Sequence, residues 1–510
     1  MTRSLDQLRR AARRLQKAHA AGDADALHRL RLHPPRADGR ALKLADFLHV
    51  VAQENGFESW PKLKFAADLR GFDRAAKEQR LKVALYHGQN WVVERLLADT
   101  PDLAQGHFGL LVALLDRPAV EAWLARDPGA AVALFGPRRP ILHLAFSRHI
   151  HSHPEREADM LAIAEMLLAH GADVNDGYPY QPGDDHLLSA LYGALGHADN
   201  LPLARWLLAE GANPNDNESL YHSTELPHAD GVKLLLAHGA RPEGTNALLR
   251  AMDFNSHEKV RILLEAGADP NEGVQPHPSG EATGHVGALH QAARRNCDAE
   301  MARLLLAYGA DLDARWEGRT AYACARIYGN QPVAEALAAA GADTALSPED
   351  AAIAQALEGR AKGPVPAAAG SVLLELLHAP EHVPLAKRLV DAGAPLDVTD
   401  AMGLPPVQIA GWEGLPEAVS WLLAQSPDLA AEMRRMNRYG GDLLSTIIHG
   451  SENCPARAAR DHVACARLVL EAGAMLPRRA PEFAGEPEMA AFLATWAEEH
   501  PEQVSEGGVV

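Results

Sequence analysis

A short apolar motif that ends in Gly-Ala recurs along this chain and constrains its fold more than any other feature. Its general form is an apolar residue, Leu-Leu, two variable residues and Gly-Ala. It occurs as MLLAHGADVN (166–175), WLLAEGANPN (206–215), LLLAHGARPE (234–243), ILLEAGADPN (262–271) and LLLAYGADLD (304–313). More degenerate copies are ALAAAGADTA (336–345), RLVDAGAPLD (388–397) and LVLEAGAMLP (468–477). Such recurrence predicts a stack of similar units rather than one globular core.

Each copy of the motif is interpreted as the end of a helix. In one copy, Val260, Leu263 and Leu264 form an apolar stripe at helical spacing. Gly267 follows and ends the helix, because a left-handed C-terminal turn suits a residue without Cβ. A shorter helix is predicted before each motif helix, as in NALLRAM (246–252). Two short helices and a turn cannot bury both faces alone, so the units are expected to stack.

Several units also open with a degenerate Thr-Pro-Leu-His-x-Ala motif, in RPILHLA (139–145), GALHQAA (287–293) and RTAYACA (319–325). Together with the endings GADVN, GADPN and GADLD, these residues resemble ankyrin repeats. The resemblance is strong over 139–345 and weaker but regular over 72–138 and 347–480, where little trace of the His remains. In that family the motif His links adjacent turns by hydrogen bonds. The resemblance therefore implies structural roles for His143 and His290.

The predicted fold class is all-α, an ankyrin-repeat solenoid of about eleven irregular helix-turn-helix units. Within it, Ser347 is expected to cap an additional helix that carries Pro348 in its first turn. Whether that helix belongs to a rigid bend or a hinge is left open. The expected segments are an N-terminal helical module at 1–70, a first stack at 71–345, a joining helix and bend at 346–370, a second stack at 371–480, and a C-terminal capping helix and tail at 481–510.

The front of the chain follows a different pattern from the repeats. Ser59 is placed to cap a helix with Pro61 in its first turn, and Trp60 is expected to be the buried pin of the module, with Lys62 and Lys64 in solvent. Earlier apolar residues recur at helical spacing, at Leu5, Leu8, Ala12 and Leu15, and at Leu44, Phe47, Leu48 and Val51. LADFLHVVA (44–52) and GFESWPKLK (56–64) resemble the N-terminal segment of a group of bacterial ankyrin-repeat proteins. That resemblance implies no activity.

Charge is distributed unevenly along the 510 residues. The net charge is −18, but residues 1–70 contain 14 Lys and Arg against 8 Asp and Glu, so this part is near +6 and the remainder near −24. An acidic body argues against nucleic-acid binding, because phosphate contacts need clustered positive charge. A further hypothesis is that the basic first helix contacts nucleic acid or an anionic membrane.

The cysteines and the apolar runs indicate a cytoplasmic setting. None of the four cysteines forms a CxxC pair, so reduced thiols are expected. No apolar run approaches the roughly 18 residues of a membrane span. Motifs of catalytic sites, such as GxSxG and HExxH, do not occur in the sequence. We therefore expect no enzyme activity and no cofactor.

One segment has the composition of a metal site. In SRHIHSHPERE (147–157), His149, His151 and His153 alternate, which on a strand would align three imidazoles for zinc. The segment lies between two predicted helices, where a strand is not expected. We therefore interpret it as a solvated insertion and predict no metal site. Metal binding by the three histidines stays open as the alternative.

Long turns at 173–186 and 269–287 are expected on the same edge of the stack, and the candidate binding residues lie in the first of them and in a later turn. Tyr178 and Tyr180 lie in the insertion at 173–186. Further on, Trp316 occupies a turn tip and is flanked by Arg315 and Arg319. Tyr, Trp and Arg dominate the energetics of protein interfaces. The alternative for each aromatic residue is packing against a neighbouring loop, whereas Trp206 and Trp421 lie in motif helices and are expected to be core.

The sequence thus predicts a non-catalytic scaffold that binds an unidentified protein partner through its concave face and long turns. It is expected to be a monomer, with no nucleic acid and no membrane span. The alternative is a small-molecule or metal-binding protein that uses the His-rich insertion or a cleft at 346–370.

Overall fold

The computed structural model describes residues 5–34, 42, 44–181, 183–276, 286–361, 363–454 and 456–506. Over these ranges the chain is mostly helical, with three sheets of two short strands each, so the predicted helical class is confirmed. The chain divides into two compact units. The first comprises residues 1–106 with 475–510, and the second comprises 107–474.

The elements are given in chain order. The first helices are α1 Leu5–Ala20, α2 Ala24–Leu32, α3 Leu44–Glu54, α4 Trp60–Asp68, α5 Arg74–His87, α6 Asn90–Asp99, α7 Phe108–Ala113, α8 Arg117–Leu124, α9 Pro140–Ala145, α10 Glu157–Ala169, α11 Ala190–Tyr192, α12 Leu201–Ala209, α13 Ser219–Ser223, α14 Asp230–Ala237, α15 Ala247–Asp253 and α16 His257–Glu265. The later helices are α17 Ala288–Arg294, α18 Ala299–Ala307, α19 Ala321–Ile327, α20 Gln331–Ala339, α21 Pro348–Leu357, α22 Ala369–Leu376, α23 Val383–Asp391, α24 Pro406–Trp412, α25 Pro416–Gln425, α26 Leu429–Arg434, α27 Leu443–Asn453, α28 His462–Glu471, α29 Ala480–Phe483 and α30 Pro487–Glu499. The strands are β1 Gly177–Pro179, β2 Leu187–Ser189, β3 Arg315–Trp316, β4 Arg319–Thr320, β5 Leu476–Pro477 and β6 Val504–Ser505.

In the first unit, the predicted apolar faces of α1, α3 and α4 form one core. Trp60 is only 2% exposed and packs in this core, as expected. Its indole Nε1–H donates to the carboxylate of Glu498 in α30, and α30 packs against α4. The expectation that Lys64 lies in solvent is wrong, because its ammonium is 3.7 Å from Glu498 Oε1. Ser59 stands at the N-cap of α4 without a capping side-chain bond.

In the second unit, consecutive helices pack against each other in pairs, as in α15/α16, α17/α18 and α19/α20. The first helix of one pair packs on the first helix of the next pair, as α17 does on α19. The second helices of successive pairs pack in the same way, as α18 does on α20. Val260, Leu263 and Leu264 are buried, as the apolar stripe predicts. Gly267, just after α16, has φ +95°, a left-handed conformation that disfavours residues with a Cβ. The stacking of helix pairs therefore follows from the residues of the recurring motif.

Asparagine side chains link successive turns of the stack. Asn271 Nδ2 donates to the Gly309 carbonyl at 3.0 Å, and its Oδ1 accepts from Asp311 N at 2.7 Å. Asn175 and Asn215 make the same two bonds to the turns that follow them, at 2.7 to 3.4 Å. Each asparagine side chain therefore bonds one backbone N–H and one carbonyl of the next turn. Without it, these exposed backbone groups would bond to water.

A polar side chain of the first helix makes a second link between units. His290 Nε2 lies 3.0 Å from the Arg319 carbonyl oxygen in the next turn, so the predicted structural bond is confirmed. His143 Nε2 lies 3.0 Å from a carbonyl oxygen in the turn before its own helix. In PPVQIA (405–410), Gln408 stands at the position of the motif His, and its side chain donates to the Arg435 carbonyl at 2.6 Å. An amide thus replaces the imidazole as donor in this later unit.

The additional helix α21 begins as predicted. Asp350 N donates to Ser347 Oγ at 3.1 Å, and that hydroxyl donates back to Asp350 Oδ2 at 2.8 Å. Pro348 lies in the first turn. The helix packs against α19 and α23, so it is held on both sides. Among the described residues, no helix is both long enough and apolar enough to cross a membrane.

Candidate functional site

The insertion after α10 forms a β-hairpin that is anchored at Tyr178. Strands β1 and β2 pair antiparallel, with Tyr178 opposite Leu188. The Tyr178 ring lies edge-on to Phe146 at 5.3 Å between centroids, and the Arg138 guanidinium lies 4.3 Å from the ring centroid. Arg138 Nη2 also donates to Tyr178 Oη at 2.6 Å. Tyr178 therefore makes the internal packing contact that the sequence left open as its alternative.

Beyond this anchor, the same hairpin exposes apolar surface. Tyr180 is 36% exposed and Leu187 is 46% exposed. Tyr180 N donates to the His186 carbonyl at 3.0 Å, so the two chain segments stay paired. A shallow cleft of about 310 Å³ adjoins them, lined by residues that include His186, Leu187, Ser189 and Asp216. The hairpin thus presents an aromatic and an aliphatic side chain next to a polar cleft.

A second hairpin, β3–β4, carries the other three predicted residues. Glu317 and Gly318 form its two-residue turn with φ of +49° and +81°, the sign that tight hairpins require at both positions. The Trp316 ring is half-buried, edge-on to His290 at 6.4 Å between centroids. The Arg294 guanidinium lies 5.7 Å from the Trp316 ring centroid. Trp316 is therefore partly packed and partly accessible.

The two flanking arginines differ in their environment. Arg319 Nε donates to Asp350 Oδ1 at 2.7 Å, and its side chain is 22% exposed. Arg315 is 56% exposed and donates to the Gly318 carbonyl at 3.0 Å. The hairpin thus ties Arg319 to α21 and presents Arg315 to solvent.

The His-rich insertion is solvated only in part, because His149 is buried whereas His151 and Glu155 are exposed. His149 is 8% exposed, its ring centroid lies 4.4 Å from that of His153, and burial lowers the pKa of His149 to about 4. His151 Nε2 points at the Ala198 carbonyl oxygen, 2.5 Å away. Among the described residues, no group of three or more His, Cys, Asp or Glu side chains is arranged to hold a metal ion. His149 and His153 thus contact each other, while His151 contacts a backbone carbonyl.

A network of charges that was not predicted from the sequence lies on the first helices of the pairs. In α13, His222 Nε2 lies 2.9 Å from Glu218 Oε2, and its Nδ1 lies 3.0 Å from Glu225 Oε2. Arg250 of α15 pairs with Glu225 at 2.8 Å and with Asp253 at 3.0 Å. Burial opposes the charge on His222, but the Glu225 and Glu218 carboxylates outweigh it and raise the pKa of His222 to about 9. Burial likewise opposes ionisation of Glu225, yet His222 and Arg250 lower its pKa to about 2.

The network continues to helices that are distant in sequence. Asp253 Oδ1 lies 3.5 Å from Arg295 Nε. Glu375 of α22 lies 2.9 Å from Arg294 Nη2 and 3.4 Å from Arg295 Nη1. Burial disfavours the charge on Glu375, but the two arginines prevail and lower its pKa to about 2. The first helices from α13 to α22 thus carry charges held in fixed places by their neighbours.

The spacing of Glu218 and His222, four apart, and of Arg250 and Asp253, three apart, was the available signal for this network. None of these residues was predicted as a site residue. Their pairing across units depends on the stacking itself, which brings α13, α15 and α17 side by side.

Comparison with known proteins identifies the repeats. A family model of three ankyrin repeats matches residues 191–273, and a model of a single ankyrin repeat matches residues 287–316. No curated protein sequence shows significant similarity to the chain. The matched stretches contain the helix pairs α15/α16 and α17/α18 and the linking Asn215 and Asn271. On this combined ground, the chain contains ankyrin repeats.

Proposed function

We propose that this protein is a non-catalytic scaffold that binds a protein partner. The contact surface consists of the first helices of the helix pairs from α13 to α22, here called the first-helix surface, and of the two hairpins β1–β2 and β3–β4. Ankyrin repeats generally mediate protein–protein interactions. The proposal retains the finer predictions: about eleven units, α30 as a capping helix, a monomer in the cytoplasm, the bacterial type of N-terminal segment, and no nucleic-acid partner.

The β1–β2 hairpin is the observation that carries this proposal. Its root is fixed by the contacts of Tyr178 with Arg138 and Phe146, while Tyr180 and Leu187 stay exposed on the same hairpin. Apolar side chains on a fixed backbone cost less entropy to bind than those on a mobile loop. The hairpin therefore offers a preorganised contact for a partner.

The charge network supports the same proposal. Arg250, Glu225 and Glu375 keep 16 to 28% of their side chains exposed while ion pairs hold them in position. Fixed charges of known sign select between partners more than they add affinity. The first-helix surface is thus suited to discriminating among proteins with different charge patterns.

A capture experiment tests the hairpin. The immobilised full chain is crosslinked in native lysate and the products are mapped by mass spectrometry. We expect crosslinks near 180–187, and a loss of partner of about tenfold in a Tyr180→Ala/Leu187→Ala variant, as truncating interface anchors commonly causes. A matched control, Val132→Ala/Leu134→Ala, removes two exposed apolar side chains elsewhere in the second unit. Equal capture by all three proteins, each folded by circular dichroism, would remove the hairpin from the proposal.

The alternative function, a metal or small-molecule site, has less support. The rings of His149 and His153 contact each other, His151 faces the Ala198 carbonyl, and His153 Nδ1 lies 3.0 Å from Glu155 Oε1, so a metal would have to displace these contacts. Stoichiometric zinc in protein purified without a His tag would nevertheless establish it.

A further inference from the structure

Residues 434–441, here called the arginine loop, form an exposed turn that leads from the end of α26 to α27. The contacts described above for the two hairpins do not include this loop. Its sequence is RRMNRYGG. Met436 is 60% exposed and Tyr439 is 59% exposed, which places them among the most exposed large apolar side chains. Arg434 and Arg438 are exposed as well. The loop thus combines apolar and cationic side chains on one accessible segment.

Asn437 holds the backbone of the arginine loop in place. Its Oδ1 accepts from Tyr439 N at 3.0 Å and from Gly441 N at 3.1 Å. Its Nδ2 donates to Gln408 Oε1 and to Thr446 Oγ1, both at 3.1 Å. The exposed side chains therefore stand on a backbone that is fixed to α24 and α27, and binding does not have to order the loop first.

Two further bonds fix the edges of the loop. Arg438 N donates to the Met402 carbonyl at 2.9 Å. Gln408 Nε2 donates to the Arg435 carbonyl at 2.6 Å. The amide of Gln408, which replaces the motif His in this unit, thus helps to position the arginine loop.

The loop carries local positive charge in an acidic chain. Three arginines lie within residues 434–438, whereas the whole protein has a net charge of −18. Arg435 Nη1 lies 3.4 Å from Asp397 Oδ1, and that Asp is itself 94% exposed. Within the part of the chain that the structure describes, neither Arg434 nor Arg438 lies within 4.0 Å of a carboxylate. Two guanidinium groups are therefore available to an anionic ligand.

The size of that ligand is limited by the charge of the rest of the protein. At physiological ionic strength, charges are screened beyond roughly 8 Å. A short acidic segment responds to the nearby arginines, whereas an extended polyanion such as RNA would continue onto the acidic body. Met436 and Tyr439 add a place for an apolar side chain, and Met, Tyr and Arg are enriched at protein interfaces.

We propose that the arginine loop docks a short acidic peptide segment of a protein partner, one that also carries an apolar side chain. Arginine pairs with carboxylates through two parallel N–H···O bonds, which gives such a contact direction as well as charge. The proposal rests on the proposed function as a protein-binding scaffold and adds a second contact surface, between α26 and α27, later in the chain than the hairpins.

Selection of displayed peptides on the purified full chain tests the proposal. A random peptide library is selected on the wild-type protein and counter-selected on Arg434→Glu/Arg438→Glu. We expect enriched peptides that combine Asp or Glu with Leu, Met or Phe. By fluorescence anisotropy, these peptides should bind the variant at least about tenfold more weakly than the wild type. The matched control Arg261→Glu/Arg303→Glu makes the same change in net charge at exposed arginines of α16 and α18 and should bind as the wild type does.

Three results would overturn the proposal. The first is that no peptide is enriched against the variant, or that the enriched peptides lack acidic residues. The second is an equal loss of binding in the control, which would show a bulk charge effect. The third is that single-stranded uridine-rich RNA binds the loop more tightly than any peptide. None of these results bears on Tyr180→Ala/Leu187→Ala, so failure of this proposal is distinguishable from failure of the proposed function.

Discussion

Arg250 is expected to be the residue whose loss most clearly destabilises the second unit. Its side chain is 18% exposed and pairs with Glu225 at 2.8 Å and with Asp253 at 3.0 Å. Its guanidinium also lies 5.5 Å from the Tyr221 ring centroid and 5.2 Å from that of Phe254. Arg250→Met keeps most of the aliphatic stem and removes the cation from this position.

The magnitude follows from what the variant leaves behind. Removing one partner of a fully buried ion pair costs about 3–5 kcal/mol, because the remaining charge is uncompensated, and the Arg250–Glu225 pair is only partly buried. Glu225 keeps its contact with His222 at 3.0 Å, and Asp253 keeps a hydrogen bond from Gln291 at 2.7 Å. We therefore expect a loss near the lower end, about 3 kcal/mol in local free energy of opening, or roughly a hundredfold in the opening equilibrium.

Native-state hydrogen exchange measures this loss where it occurs. Amides of α13 and α15 should exchange roughly a hundredfold faster in Arg250→Met, since exchange there reports local opening. The matched control is Lys233→Met, which removes an ammonium 2.7 Å from Glu258 in a pair whose side chains are both more than half exposed. Exposed pairs contribute little, so exchange in this control should be unchanged.

A double-mutant cycle with Glu225→Gln then separates the pair from its surroundings, because coupled residues give non-additive losses. Exchange in α13 and α15 that stays at the wild-type rate in Arg250→Met would refute the reasoning. An equal acceleration in the Lys233→Met control would refute it as well.

Further outcomes are expected at three other sites. The pKa of His222 is raised from 6.5 to about 9, so protonated His222 stabilises the fold fully below pH 6.5, and this stabilisation is lost as the pH rises towards 9. Thermal melts at a series of pH values should show the loss in the wild type and not in His222→Gln. Trp60→Ala should cost about 3–5 kcal/mol in the urea unfolding of the first unit followed by circular dichroism. Asn271→Ala should accelerate exchange of the Asp311 amide about fivefold, equivalent to one hydrogen bond of about 1 kcal/mol, and an unchanged rate there would refute the role of this turn link.

The helix pairs were predictable because their signals are local. The stripe of Val260, Leu263 and Leu264 and the glycine that follows specify a helix and its end within a few residues. The bond of His290 was predictable from the motif. The bond of Gln408 was not predictable from a motif that carries His at this position, although a side-chain amide donates to a turn carbonyl equally well.

The charge network was not predictable because its partners are distant in sequence. Arg294 and Glu375 are 81 positions apart, and only the stacking of first helices decides that they meet.

Burial of aromatic residues was also predicted imperfectly. Trp206 and Trp421 were expected in the core from their places in the motif helices, but both are half-buried. The motif stripe spans more than one face of each helix, and not every face meets a neighbour.

The contact between Trp60 and Glu498 has a consequence for the order of biosynthesis. The two residues are 438 positions apart, and at ribosomal rates of roughly 5–20 residues per second the acceptor is made about 20 to 90 s after the indole. Through that interval, the N-terminal helices lack the helix that completes their unit. The Trp60 indole thus lacks its acceptor, and the cations of Arg9 and Lys64 lack the Glu498 carboxylate, until α30 has been made.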